Sequence, residues 1–275
     1  MPCLIKRLTP DGLHPVDYSA SSLADAAKLE PRDGVYTVTN TYDTFNVLKL
    51  DAHLDRLEQS AQQAQIPLTL DRVRLRHALR ALIQEAGYGD VRFRVTVPAE
   101  SPDSLILSVE PFKPLSPDVI AAGVKVITVH AARHNPSAKT TDWMHDRDAI
   151  QKSLPPGIYD AVLTDPSGVL LENLGANFYA ILDGELRTAG SGVLAGIAQQ
   201  VVFTVAPSIL PVRREAVHAD DIPRLSEAFL TSASRGIVPI VEIDGIKLGN
   251  GTPGEKTLAL RAAYQAWVTD HLEPL

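Results

Sequence analysis

The order of the predicted elements most constrains the fold of this 275-residue chain. Strand-like alternation at 34–40 and 46–50 comes first, and two amphipathic helical patterns follow it, each of about 15 residues. These patterns are carried by Leu54 to Ala64 and Val73 to Ile83. Further strand-like segments follow at 90–97 and 104–109. Strands on both sides of a helix pair predict an α+β fold rather than an alternating parallel sheet.

A polar stretch with two prolines, residues 112–118, comes next. Proline restricts both helix and central strand, so the stretch predicts a connector. The length of the chain agrees with about two domains. We therefore expect a smaller N-terminal α+β domain at 1–113, a linker at 114–119 and a larger C-terminal domain at 120–275.

The second half of the chain is rich in strand patterns. Strands are predicted at 124–129, 161–164, 177–182, 228–231 and 237–243. Helices are predicted at about 195–205 and 253–272. Many strands with few helices favour a closed or highly curved sheet with the helices packed outside it.

Composition excludes several classes of protein. The chain is 45% hydrophobic and 21% charged, and no apolar run reaches the roughly 18 residues needed to cross a bilayer. Its net charge of −7, without a long basic run, argues against nucleic acid or an anionic membrane as the main partner. Cys3 is the only cysteine, so an intrachain disulfide is impossible, and the start of the chain has no extended apolar segment. We expect a cytoplasmic protein.

Glu172 is the first candidate for chemistry. It follows the apolar run 169–171 and precedes Asn173. If that run is a buried strand, the carboxylate needs a proton donor or a positive partner. A protonated pyridine nitrogen would satisfy it; the alternative is an acid at a strand end that points into water.

A glycine-bracketed helix start, 192–196, follows Glu172. Gly196 allows close approach of an anion to the backbone, and the N–H groups of Ile197 and Ala198 point along the helix dipole. The segment therefore predicts a phosphate site, although glycines before a helix are often only a turn.

Lys139 lies in a polar stretch, 134–143, that resembles a loop. A lysine that forms a Schiff base must be partly desolvated, since this lowers its pKa and makes the amine nucleophilic. An exposed lysine is the simpler alternative. Metal binding by His134, Asp142, His145 and Asp146 is a weak alternative because their spacing matches no known ligand pattern, and we expect no metal. A carboxylate for a ring nitrogen, a phosphate site and a lysine together indicate pyridoxal 5'-phosphate.

These segments resemble the class IV (fold type IV) pyridoxal phosphate enzymes. Lys139, Glu172 with the Asn-Phe pair at 177–178, the Leu-Ala-Gly-Ile run at 194–197, and 229–234 with Pro239 occur in the order and approximate spacing of that family. The segment 50–57, which reads LDAHLDRL, resembles the helix whose arginine binds the cofactor phosphate. Branched-chain and D-amino acid aminotransferases, (R)-selective amine transaminases and aminodeoxychorismate lyase belong to this family.

The resemblance implies a role for each matching residue. Lys139 would form the Schiff base and move the proton between substrate and cofactor, and Glu172 would hold the ring nitrogen. The phosphate would be bound by Arg56, the helix start at 196–198 and Ser234. The implied fold is a small N-terminal α/β sandwich with a larger C-terminal pseudo-barrel, and the implied assembly is a homodimer.

The sequence departs from the family in ways that affect substrate choice more than cofactor choice. Trp143 and Met144 stand where many members have a tyrosine near the ring hydroxyl, and Ala198 and Ala233 replace hydroxyl residues near the phosphate. Each missing hydroxyl would remove about 1.5 to 3 kcal/mol of binding. The stretch 31–37 also differs from the usual N-terminal motif.

Three residues are candidate substrate contacts: Tyr36, which resembles the family's aromatic wall residue, Arg94 and Ala233. Arg92 and Arg94 share one face of the strand at 90–97, where an arginine could grip a carboxylate in a bidentate manner or simply line a solvent face.

The leading interpretation is an aminotransferase that moves an amino group between an amino acid, or an amine, and a 2-oxo acid. Two alternatives stay open at this point. One is a lyase of the aminodeoxychorismate type, and the other is a non-enzymatic ligand-binding protein on a degenerate class IV scaffold. The latter is suggested by Ala198, Ala233 and the missing tyrosine.

Overall fold

The structure is a computed structural model that describes residues 2–131 and 133–275. The described chain divides into two compact units. Unit 1 contains the residues up to Lys113 together with Ala138–Asp146 and His271–Leu275, and unit 2 contains the remaining described residues from Pro114 to Asp270.

The described residues 2–113 form six strands and three helices. In chain order these are β1 (Leu4–Thr9), β2 (Gly12–Pro15), α1 (Leu23–Leu29), β3 (Gly34–Tyr42), β4 (Asn46–Leu48), α2 (Leu50–Gln63), α3 (Arg72–Ala86), β5 (Val91–Pro98) and β6 (Leu105–Pro111).

The rest of the described chain continues with α4 (Pro117–Ala122), β7 (Val124–His130), α5 (Thr141–Ser153), β8 (Asp160–Thr164), β9 (Leu170–Asn173), β10 (Ala176–Leu182), β11 (Glu185–Arg187), α6 (Ile197–Val205), β12 (Val212–Arg213), β13 (Glu227–Ser232), β14 (Gly236–Ile243), β15 (Ile246–Lys247), α7 (Glu255–Asp270) and β16 (Leu272–Pro274). Two 3-10 segments, Ala206–Ser208 and Ala219–Arg224, lie between these elements.

Unit 1 is built on a seven-stranded sheet in the order β16-β4-β3-β5-β6-β1-β2. Helices α2 and α3 bury their apolar stripes in one hydrophobic core with the residues of β5 and β6. Asp71 begins α3 by accepting a hydrogen bond from Arg74 N at 3.0 Å, and Gly87 ends it in the left-handed conformation, with φ at 63°. The expected helix pair between strands is therefore present.

Unit 2 contains a closed sheet. Strands β10, β13, β14, β7, β8 and β9 pair in that order, and β9 pairs back with β10. The β14–β7 and β7–β8 pairs are parallel, and the other pairs of this ring are antiparallel. A continuous apolar core includes alternate residues of these strands, as expected for the interior of a small barrel. The expectation of a closed or highly curved sheet is confirmed.

The two units do not follow a single cut of the chain. Ala138–Asp146 and His271–Leu275 belong to unit 1, although both come after the connector expected at 114–119. The first segment is tied to unit 1 because Thr141 Oγ1 donates to Arg32 O at 2.7 Å and to Gly34 O at 3.2 Å. The second adds β16 to the edge of the sheet beside β4. The expected continuous domain at 120–275 is therefore corrected, and part of the expected linker forms the start of α4.

None of the helices within the described residues has both the length and the apolar character needed to cross a membrane. Within residues 2–131 and 133–275, no three histidine, cysteine or acidic side chains are arranged to hold a metal ion.

Candidate active site

The candidate residues form two groups, one in each unit. In unit 1, the main chain of Lys139 is held at both of its polar groups. Its N–H donates to Ser60 Oγ at 3.0 Å, and its carbonyl accepts a hydrogen bond from Tyr36 N, also at 3.0 Å. The Lys139 ammonium lies 4.6 Å from the centroid of the Tyr36 ring, and Tyr36 is almost fully buried. Lys139 is thus a partly buried lysine against an aromatic face rather than a solvated one.

Helix α2 brings His53, Arg56 and Ser60 into the same unit. His53 is buried and its Nδ1 lies 2.9 Å from Thr37 Oγ1. Burial, with smaller contributions from the positive charges of Arg56 and Lys139, lowers the pKa of His53 well below its ordinary value. His53 therefore stays neutral at physiological pH and adds no third positive charge to this group.

In unit 2, Glu172 lies on β9 and is only 4% exposed. One carboxylate oxygen accepts a hydrogen bond from Arg133 Nη1 at 2.9 Å, and the other accepts one from Leu194 N at 3.2 Å. The alternative of a strand-end acid in water does not hold, because the carboxylate is enclosed and held in an ion pair. An enclosed carboxylate with a fixed orientation suits a protonated ring nitrogen.

The start of α6 is shaped by Gly196 and Asn177. Asn177 pairs with Glu172 across β9 and β10, and its Nδ2 donates to Leu194 O at 2.8 Å. A Cβ on residue 196 would overlap Asn177 Oδ1, so only glycine fits this approach. Within the described part of the chain, no side chain caps this helix start, and the first N–H groups of the helix, including those of Ile197 and Ala198, can donate hydrogen bonds to a phosphate.

Ala233 and Ser234 lie in the turn between β13 and β14 and are half-buried. Arg235 follows them. Its Nε donates to Ser232 Oγ at 3.0 Å, and its Nη2 donates to Gly175 O at 3.3 Å in the turn between β9 and β10. Arg235 therefore ties the turn that carries Ser234 to the hairpin that carries the buried carboxylate.

The structure argues against the expected substrate contact of Arg94. Its guanidinium is 5% exposed and forms an ion pair with Glu30, and its Nη1 donates to Leu23 O at 2.8 Å. Glu30 also accepts a hydrogen bond from Thr96 Oγ1 at 2.6 Å. Arg94 is thus committed to a buried network beside α1. Its strand neighbour Arg92 is partly exposed and is 3.5 Å from a carboxylate oxygen of Glu110.

Sequence reasoning missed two residues that contact the candidates. Arg133, the ion-pair partner of Glu172, lies 39 positions before it, and nothing in its local sequence marks it. Ser60 had a signal: it follows Arg56 by four residues, which places both on one face of α2.

The donor and acceptor groups fit pyridoxal 5'-phosphate. A helix start that no described side chain caps, with a glycine where a Cβ would overlap Asn177 Oδ1, is suited to a phosphate, and a buried carboxylate is suited to a ring nitrogen that carries a proton. Lys139, in unit 1, carries a primary amine, which is the kind of group that forms a Schiff base with this cofactor.

Comparison with known proteins identifies the family. The family model for amino-transferase class IV matches residues 34–243, which is most of the chain. The chain therefore belongs to the class IV aminotransferases. The expected α+β fold, with its pseudo-barrel, and the expected cofactor are confirmed.

Two relatives and one solved structure illustrate the match. The branched-chain-amino-acid aminotransferase of Pseudomonas aeruginosa is 26% identical over 253 residues, covering 84% of this chain and 82% of the relative. The D-alanine aminotransferase of Bacillus licheniformis is 26% identical over 252 residues, covering 85% of this chain and 87% of the relative. The structure of the branched-chain aminotransferase of Thermoproteus uzoniensis with norvaline superposes with a TM-score of 0.81 at 21% identity, covering 100% and 99% of the two chains, and shows the shared fold.

The protein is accordingly an enzyme, a pyridoxal-phosphate-dependent transaminase whose substrates are amino acids and 2-oxo acids. The non-enzymatic alternative and the lyase alternative find no support in these comparisons.

Proposed function

We propose that this enzyme transfers the amino group of an amino acid with an apolar side chain to a 2-oxo acid, with Lys139 as the residue that bonds the cofactor. The buried carboxylate of Glu172 carries the proposal. This carboxylate is 4% exposed, and Arg133 Nη1 and Leu194 N hold its two oxygens, so it offers a hydrogen-bond acceptor of fixed orientation inside the fold, as a protonated ring nitrogen requires.

Each candidate residue has one role in this proposal. Pyridoxal phosphate, when bound, supplies an electron sink that stabilises negative charge at the substrate Cα. Lys139 Nζ would bond the cofactor, and the same amine would move the proton at the substrate Cα. Glu172 accepts a hydrogen bond from the ring N–H and so keeps that nitrogen protonated.

The phosphate is held by a second set of residues in the proposal. The N–H groups of Ile197 and Ala198 donate to it from the helix start at Gly196, and the Ser234 hydroxyl and the Arg56 guanidinium donate to it as well. Ala198 has no hydroxyl to add.

The relatives support the substrate class. Their names specify branched-chain amino acids and D-alanine, which share apolar side chains. Tyr36 and Ala233 stay the candidate substrate contacts, and Arg94 is not carried forward because Glu30 already engages it. We further propose a homodimer in the cytoplasm, on the basis of the class IV resemblance and a single cysteine, Cys3, in the sequence.

A half-reaction screen tests the function. The purified enzyme, loaded with pyridoxal phosphate, is mixed with single L- or D-amino acids, and loss of the visible band of the lysine-bound cofactor is followed together with formation of pyridoxamine phosphate. We expect one handedness of an apolar amino acid to convert the cofactor without any acceptor. Release of pyruvate from aminodeoxychorismate without a second substrate would instead establish the lyase.

Two lysine variants complete the test. Lys139→Ala removes the amine, so the visible band must be lost. Lys125→Ala is the matched control, because Lys125 is an exposed lysine paired with Glu242 on the outside of the sheet. The visible band must persist in the Lys125→Ala protein. Persistence of the band in Lys139→Ala would refute the assignment.

A further inference from the structure

Ser60 makes two hydrogen bonds from a buried position on α2. Its Oγ donates to Arg56 O at 2.7 Å, one helical turn back, and accepts the N–H of Lys139 at 3.0 Å. Ser60 is 1% exposed, and on the buried stripe of α2 it lies between Leu57 and Ala61. A hydroxyl in such a stripe is unfavourable unless its hydrogen bonds are made.

Lys139 is held on its other side by β3. Tyr36 N donates to its carbonyl at 3.0 Å, and the next residue, Thr140, forms a β-bridge with Val35. The main chain of Lys139 therefore has fixed contacts at both its N–H and its carbonyl, one from helix α2 and one from strand β3.

We propose that Ser60 is a positioning residue that fixes the main chain of Lys139 and ties it to the helix turn that carries Arg56. The proposal rests on the function assigned above to Lys139 and Arg56. A lysine that bonds a cofactor and then moves a proton must return its amine to the same place in each cycle. Because the lysine side chain is long and flexible, the position of its main chain determines where the amine can reach. The Ser60 hydroxyl makes one of the two hydrogen bonds that hold the main chain of Lys139. Its other hydrogen bond, to Arg56 O, connects Lys139 to the residue assigned to the phosphate.

The alternative is that Ser60 only bonds back to its own helix. Thr269 on α7 is an example of a hydroxyl that bonds only to its own helix in this way: its Oγ1 donates to Gln265 O at 3.1 Å, and the residue is exposed. The difference between Ser60 and Thr269 is the bond to a main-chain amide 79 positions away. Thr269→Ala is therefore a matched control that removes the same helix bond without touching Lys139.

Amide hydrogen exchange measures the contact directly. The full chain loaded with pyridoxal phosphate is labelled with 15N-lysine, and exchange of the Lys139 amide is followed by NMR in the parent, Ser60→Ala, Ser60→Thr and Thr269→Ala proteins. Loss of one hydrogen bond is expected to speed exchange of this amide about tenfold in Ser60→Ala. Ser60→Thr restores slow exchange because threonine keeps the hydroxyl, and Thr269→Ala leaves the amide unchanged. Parent-like exchange in Ser60→Ala would overturn the proposal.

Steady-state kinetics distinguishes a positioning role of Ser60 from a general effect on the stability of the protein. Ser60→Ala is expected to lower kcat about 10- to 100-fold, because a small displacement of a catalytic group has effects of this size. KM for the amino donor is expected to stay within about twofold of the parent value, since the substitution removes no contact with the bound substrate. Ser60→Thr recovers most of kcat. An unchanged kcat in Ser60→Ala, or a loss that Ser60→Thr does not recover, would contradict a positioning role.

The result also distinguishes this proposal from the function on which it rests. If Lys139→Ala keeps the visible band, the assigned role of Lys139 fails whatever Ser60 does. If Lys139→Ala loses the band and Ser60→Ala leaves exchange and kcat at parent values, the function stands and the positioning role of Ser60 is wrong.

Discussion

Replacing Gly196 with alanine tests the arrangement at the start of α6. A Cβ at this position would overlap Asn177 Oδ1 and would lie 3.2 Å from Asn177 Cγ. The Asn177 side chain cannot simply yield, because its Nδ2 donates to Leu194 O at 2.8 Å and the residue is 5% exposed. Alanine therefore forces the amide to turn away and breaks this hydrogen bond.

The expected loss follows from two effects. A buried polar group left without its partner costs about 1 to 3 kcal/mol, and overpacking a buried position costs about the same. Both describe one displacement and overlap in part, so we expect Gly196→Ala to lower the free energy of unfolding by about 2 to 4 kcal/mol. Affinity for pyridoxal phosphate falls too, because the N–H groups of Ile197 and Ala198 shift with the helix start.

A double-mutant cycle in urea is the assay. Asn177→Ala alone removes the hydrogen bond and costs about 1 to 3 kcal/mol. Adding Gly196→Ala to Asn177→Ala is expected to cost less than about 0.5 kcal/mol more, since the group that clashes is already gone. If the two losses simply add in the double variant, the clash with Asn177 is not the reason for glycine at this position.

Three further outcomes follow from the structure. Arg94→Leu is expected to lower the free energy of unfolding by about 3 to 5 kcal/mol, because Glu30 is left as a buried charge; a raised KM without loss of stability in urea would instead restore the substrate role. Ser234→Ala is expected to weaken pyridoxal phosphate binding about 10- to 100-fold, as lost hydrogen bonds to charged groups do, and fluorescence titration would contradict this by showing unchanged affinity. The pKa of His53 is lowered in the folded state, so below about pH 6.5 the unfolded chain binds a proton that the folded protein does not. The free energy of unfolding therefore falls by up to about 1.4 kcal/mol per pH unit as the pH is lowered. Urea unfolding of His53→Gln should show a smaller slope between pH 6.5 and 5, and an equal slope would contradict the neutral His53.

Elements with strong local patterns could be predicted from the sequence. Helices α2 and α3 have regular apolar spacing, and strands β7 and β14 of the closed sheet are rich in β-branched residues. Helix α6 was expected from 195 and begins at Ile197, because Gly196 is its N-cap. The helix α5 was missed because it follows a proline-containing polar stretch and buries only a few residues near its start.

Segments that depend on distant partners could not be predicted. Strand β16 is three residues long, and it exists because it pairs with β4, which lies more than two hundred positions earlier. Local pattern has no information on such pairing, since a strand of this length is stabilised by its neighbour rather than by its own sequence.

The candidate site also combines features that a local pattern predicts with features that depend on distant partners. The cofactor can be predicted from residue types and their order along the chain: an amine at Lys139, an acid at Glu172 and a helix start at Gly196. The groups that hold these residues in place depend on the tertiary fold. Arg133 beside Glu172 and Ser60 beside Lys139 come from positions 39 and 79 residues away, because closing a sheet or packing a helix brings together groups that no local periodicity relates. The same packing commits Arg94 to Glu30, because a buried charge takes the partner that the fold places next to it.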